Sequence, residues 1–173
     1  MAYRFDKISV LVVDSQPAIV ELIHGVLYMF GIQNIYTRTD GKSGLRAFRQ
    51  NTPDLLIVDW DLDTIDGLEF TRRIRSGATN PFVPIIFMTA FSSAKRVKLA
   101  RDSGITEFLK KPFTADSLYR RIEAVIERPR KFVRADGYFG PDRRRKSQDG
   151  YQGPERRTLP PVDIAFQDRE DEK

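Results

Sequence analysis

Four apolar residues, Leu55 to Val58, run straight into a segment that places carboxylates at Asp59, Asp61, Asp63 and Asp66, reading LLIVDWDLDTIDG. Anionic groups this close repel one another unless a cation or open solvent offsets their charge. A solvated turn is one reading, because Asp and Gly are common turn residues. A calcium loop is a second, but the position that requires Gly holds Thr64 and the twelfth position holds Phe70 in place of Glu. That excludes calcium. A third is a phosphatase-like Asp-x-Asp, with Asp59 as the nucleophile that accepts a phosphoryl group and Asp61 as acid and base. A fourth draws on residues elsewhere in the chain.

Those residues depend on the elements that would position them. Five short apolar runs read as buried parallel strands, at 8–13, 34–38, 55–58, 84–89 and 107–110. Helical periodicity follows each, near 17–30, 41–50, 67–76, 93–103 and 115–127. For the first helix Ser15 is the expected N-cap and Gly31 the stop. Strict alternation predicts an α/β fold, a five-stranded parallel doubly wound sheet with helices on both faces. Sites in such sheets lie beyond the carboxyl ends of the strands. Asp14, Asp59 and Thr89 each end or follow a strand, so all three are expected at one rim.

The segments VVD (12–14), VDWDLDTIDGLEF (58–70), MTA (88–90) and KPFT (111–114) stand in order, each at a strand end. With these, residues 7–127 resemble the receiver domains of bacterial two-component response regulators, particularly the chemotaxis-type single-domain receiver. The resemblance implies a flavodoxin-like fold and a role for each matching residue. Asp59 would be the phosphoacceptor. Asp14, Asp59 and the backbone carbonyl of Asp61 would hold Mg2+, Lys111 would bind the phosphoryl group, and Thr89, Ala90 and Phe108 would form the switch. It also implies a histidine kinase or phosphotransfer protein as donor, a downstream protein target as output, and no catalysis beyond the chain's own phosphorylation. One departure stands out: the family carries two adjacent acids after its first strand, and here the pair is Asp14-Ser15. Losing a carboxylate should weaken Mg2+ binding.

The 173 residues include no Cys, which excludes disulfides and thiolate chemistry. The N-terminal apolar run is too brief for a secretory signal, and no run approaches the ~20 apolar residues of a membrane span, so a cytoplasmic protein is expected. Charge is uneven: residues 1–127 hold 17 Lys/Arg against 15 Asp/Glu, whereas 128–157 hold 10 against 4. A receiver at 1–127 is therefore expected to carry a basic, irregular and flexible extension at 128–173, without a core of its own. That extension repeats YFGPDRR (138–144) as YQGPERR (151–157), each copy with a Gly-Pro that fits a helix start. Its arginines, Arg143, Arg144, Arg145, Arg156 and Arg157, suit anion recognition. It resembles the Arg-rich extensions of chemotaxis-like receivers that bind cyclic di-GMP, and nucleic acid is a second possible ligand. A receiver-fold module that senses such a ligand, with weak or no phosphorylation, is the alternative to a phosphorylated switch.

Overall fold

Parallel strands need a crossover to return the chain to the start of the sheet, and each amphipathic stretch supplies one. The computed structural model describes residues 5–77, 79–90, 93–135 and 137–142, and the backbone of 157–162. After a short turn of 3-10 helix come β1 (Ser9–Val13), α1 (Pro17–Met29), β2 (Asn34–Arg38), α2 (Gly41–Asn51), β3 (Leu55–Asp59), α3 (Gly67–Ser76), β4 (Ile85–Thr89), α4 (Ala94–Asp102), β5 (Glu107–Lys110) and α5 (Ala115–Glu127). The sheet is parallel in the order β2-β1-β3-β4-β5. The chain leaves β1 to one side for β2 and then returns to the other side for β3. That reversal opens a crevice beyond the carboxyl ends of β1 and β3.

β1, β3 and β4 are buried along their whole length, since helices cover both faces. Alternate residues serve opposite layers. Val10, Val12, Leu55, Ile57, Ile86 and Met88 pack with Ile23 and Leu27 of α1 and Leu118 and Ile122 of α5. Leu11, Val13, Leu56, Val58, Ile85 and Phe87 pack with Phe48 of α2, Phe70 and Ile74 of α3 and Ala100 of α4.

Side chains of Asp40, Asp66, Ser93 and Thr114 accept from backbone N–H groups in the first turns of α2, α3, α4 and α5. Gly31 ends α1 with φ +88°, as expected. The expected Ser15 cap is corrected: α1 begins after Gln16, whose side chain makes no capping bond, and Asp14 Oδ1 accepts from the Gln16 N–H instead. Ser15 is engaged elsewhere.

The described part of the extension is more regular than expected. β6 (Phe132–Ala135), β7 (Tyr138–Pro141) and β8 (Arg157–Val162) form an antiparallel sheet in the order β7-β6-β8. The segment has too few apolar residues for a core, so it borrows one. Phe132 and Phe139 meet Phe82 at 5.5 and 5.3 Å between ring centroids, and Phe132 and Val133 are buried. Gly140-Pro141 closes a strand and starts no helix. Pro141 is tolerated there because β7 is an edge strand. Arg143, Arg144, Arg145 and Arg156 lie outside the described residues, and Arg157 opens β8, of which only the backbone is described. Among the described residues no helix is long and apolar enough to cross a membrane.

Candidate functional site

Three strands bring charge to one rim. Asp14 follows β1, Asp59 ends β3 and Lys111 follows β5. Register aligns them: Asp59 pairs with Met88, Thr89 pairs with Lys110, and the Lys111 N–H donates to the Thr89 carbonyl at 2.8 Å. The Lys111 ammonium then lies 2.7 Å from Asp14 Oδ2 and 2.8 Å from Asp59 Oδ1, bridging two buried carboxylates.

One ammonium between two carboxylates leaves a surplus negative charge in a poorly solvated place. Burial pushes the Asp59 carboxyl above its ordinary value; the Lys111 hydrogen bond pulls the other way, and the charge of Asp14 raises it again. Burial works against the Lys111 ammonium, but its bonds to Asp14 and Asp59 outweigh that, and its pKa is raised. The rim is therefore short of positive charge.

The acidic loop is shaped by local constraints. A Cβ on Gly67 would stand 2.3 Å from the Asp59 carbonyl oxygen and 2.8 Å from the Phe87 ring, so only glycine lets α3 start this close to Asp59. The Gly67 N–H donates to the Trp60 carbonyl at 2.9 Å. Thr64 adopts φ +71°, and its hydroxyl bonds to Asp40 at the start of α2. Asp66 accepts from the Glu69 N–H at 2.7 Å and serves as the α3 cap. The side chains of Asp61 and Asp63 are exposed. The Asp61 backbone reaches the rim from both ends: its N–H donates to Asp59 Oδ2 at 3.3 Å, and its carbonyl accepts from the Ser15 hydroxyl at 2.9 Å.

Among the described residues no group of three or more acidic or histidine side chains converges as a metal site. A cation here would rely on the Asp14 and Asp59 carboxylates, the Asp61 carbonyl and water. Hard oxygens few in number suit a small divalent ion that keeps part of its hydration shell. The surplus negative charge favours the same occupant.

Thr89 is buried at the end of β4 and Ala90 beyond it is exposed. Phe108 on β5 is half-buried and meets Phe87 edge-on, with centroids 6.5 Å apart at 89°. Phe87 in turn meets Trp60 at 5.3 Å, and Arg96 of α4 covers the Trp60 ring at 5.0 Å. The aromatic run Trp60-Phe87-Phe108 and the Ser15–Asp61 bond were not foreseen. Both are contacts between residues far apart in the chain, for which the motifs carried no signal.

Residues 10–123 match the response regulator receiver domain family. The chain is 31% identical over 121 residues to the transcriptional regulatory protein TrcR of Mycobacterium tuberculosis, covering 70% of this chain and 46% of TrcR. It spans about half the length of that relative. Chemotaxis protein CheY of Pseudomonas aeruginosa is 27% identical over 120 residues, covering 69% of this chain and 97% of CheY. Among solved structures, the receiver domain of sensor histidine kinase PA1611 from Pseudomonas aeruginosa superposes with a TM-score of 0.62 at 27% identity, covering 67% of this chain and 94% of that one. That structure has a magnesium ion coordinated in its active-site cleft. Since the sequence match and the superpositions cover the part of the chain that builds the parallel sheet, this chain belongs to the response regulator receiver domain family.

Proposed function

We propose that the chain takes a phosphoryl group on Asp59 from a histidine kinase or a phosphotransfer protein, and signals by changing the surface it offers to a downstream protein. The observation that carries this reading is the Lys111 ammonium held between Asp14 and Asp59. An Asp59 oxygen attacks phosphorus, the bond from phosphorus to the donor breaks, and negative charge spreads over three phosphoryl oxygens. Lys111 supplies a fixed positive charge and three N–H donors for those oxygens. Asp14, Asp59 and the Asp61 carbonyl would hold Mg2+, which when bound offsets the repulsion between carboxylate and phosphoryl group.

In the acyl phosphate the Thr89 hydroxyl would turn toward a phosphoryl oxygen. Phe108 would then move into the space beside Phe87, changing the face made by β4, β5 and their helices. Turnover is limited to formation and loss of this one phosphoryl group. The test is a small phosphodonor such as acetyl phosphate with the full chain, read by intact mass. Expected is the gain of one phosphoryl group that requires Mg2+ and is absent from Asp59→Asn. A gain retained in that variant, or no gain in the native chain, rejects the proposal.

A further inference from the structure

A second site candidate lies at the other pole of the sheet. α3 and α4 end beside the amino ends of β4 and β5, and between those helix ends and the β6–β7 hairpin is a cleft of about 650 Å3. Its lining includes Arg72, Arg75, Asp102, Arg134, Tyr138 and Phe139. Clefts of this size hold small organic ligands.

Arg75 is 7% exposed and meets no carboxylate among the described residues. Its Nε donates to the Gly104 carbonyl at 2.9 Å, and Nη1 donates to the Pro81 and Val83 carbonyls at 2.7 Å each. Its guanidinium lies over the Phe132 ring at 5.0 Å, and Nη2 has no hydrogen-bond partner. Burial pushes the Arg75 ionisation down to about 9, which leaves it charged at neutral pH. Nη2 is sealed from solvent, so Arg75 acts on the cleft through its field, which the surrounding protein screens weakly.

Arg72 is exposed, and among the described residues its side chain makes neither an ion pair nor a hydrogen bond. The Arg134 guanidinium lies over the Phe139 ring at 4.8 Å. Two helix carboxyl ends bring roughly half a negative charge each, and Asp102 brings one more. Among the described residues that line the cleft, the three guanidiniums exceed this by one charge, and Arg72 is the one whose side chain is held by no bond there.

We propose that this cleft binds a phosphate monoester carrying a planar ring, of nucleoside monophosphate size. Arg72 donates to the phosphate oxygens, and the outer face of the Arg134 guanidinium stacks on the ring. The site is separate from Asp59 and does not rest on its phosphorylation. The test titrates GMP, AMP, ribose 5-phosphate and inorganic phosphate into the full chain at low salt, by calorimetry. A nucleotide is expected to bind more tightly than ribose 5-phosphate or phosphate. Arg72→Ala and Arg134→Ala, both at exposed positions, should each weaken it by at least about tenfold with an unchanged melting temperature, while Asp59→Asn binds as the native chain does. No nucleotide binding, equal binding of ribose 5-phosphate, or binding that survives both arginine substitutions, and so resides elsewhere in the chain, overturns the assignment.

Discussion

The Ser15 hydroxyl donates a 2.9 Å hydrogen bond to the backbone carbonyl of Asp61, joining the loop after β1 to the loop after β3. A hydroxyl there does two things that a carboxylate would not. It occupies a lone pair of a carbonyl suited to a cation, and it leaves Asp14 as the single acid after β1.

Ser15→Asp should therefore tighten Mg2+ binding, roughly tenfold, by adding an anionic oxygen and releasing the Asp61 carbonyl. Fluorescence of Trp60, the one tryptophan in the chain, provides the titration signal. Unchanged or weaker binding would place the cation elsewhere.

Asp59 carries a pH signature. Burial, the largest influence, and the Asp14 charge hold its carboxyl above the ordinary value of 3.8, against the Lys111 bond. Between the unfolded and folded values the native state binds more protons, so stability falls as pH rises through that window, and the cost is fully present at neutral pH. Asp59→Asn keeps the shape and removes the ionisation. It should raise the urea midpoint at about pH 7 and leave it nearly unchanged below the ordinary carboxylate range. A variant less stable than the native chain at neutral pH would show that the Lys111 pairing outweighs burial.

Arg75 and Phe132 join the extension to the rest of the fold. Arg75→Met would leave three carbonyls without this donor, two of them in buried bonds, costing about 3 kcal/mol in urea unfolding. Phe132→Ala should cost about 3 kcal/mol by emptying the aromatic cluster. Because the two side chains touch, the double substitution should cost less than the sum. A loss below about 0.5 kcal/mol for Phe132→Ala would mean that the hairpin does not dock.

How much of this was legible in the sequence depends on the range over which each feature is decided. The spans 34–38, 67–76, 107–110 and 115–127 coincide with β2, α3, β5 and α5, because their periodicity and caps are local. The placing of Asp14, Asp59 and Thr89 at one rim followed from strand-end positions in an alternating pattern, since a parallel sheet aligns all carboxyl ends, and Lys111 was added by the resemblance. β6 and β7 were not legible. Their residues, FVRA and YFGP, mix apolar side chains with Arg, Gly and Pro and show no period, and Phe132 is buried by distant residues, Phe82 fifty positions earlier and Arg75. The helical pattern carries no mark of the burial of Arg75, because charge usually stands on the exposed face. Its partners are carbonyls in two loops that no helical pattern reveals.

The central claim is that Asp59, beside Asp14 and Lys111, is the group that takes the phosphoryl transfer. Borohydride reduces an aspartyl phosphate to homoserine, so treating the phosphodonor-loaded chain and mapping its peptides by mass reads the acceptor directly. The account predicts homoserine at position 59 and nowhere else, dependent on Mg2+. Homoserine at another aspartate, or an unmodified Asp59 in a chain that has gained a phosphoryl group, would contradict it.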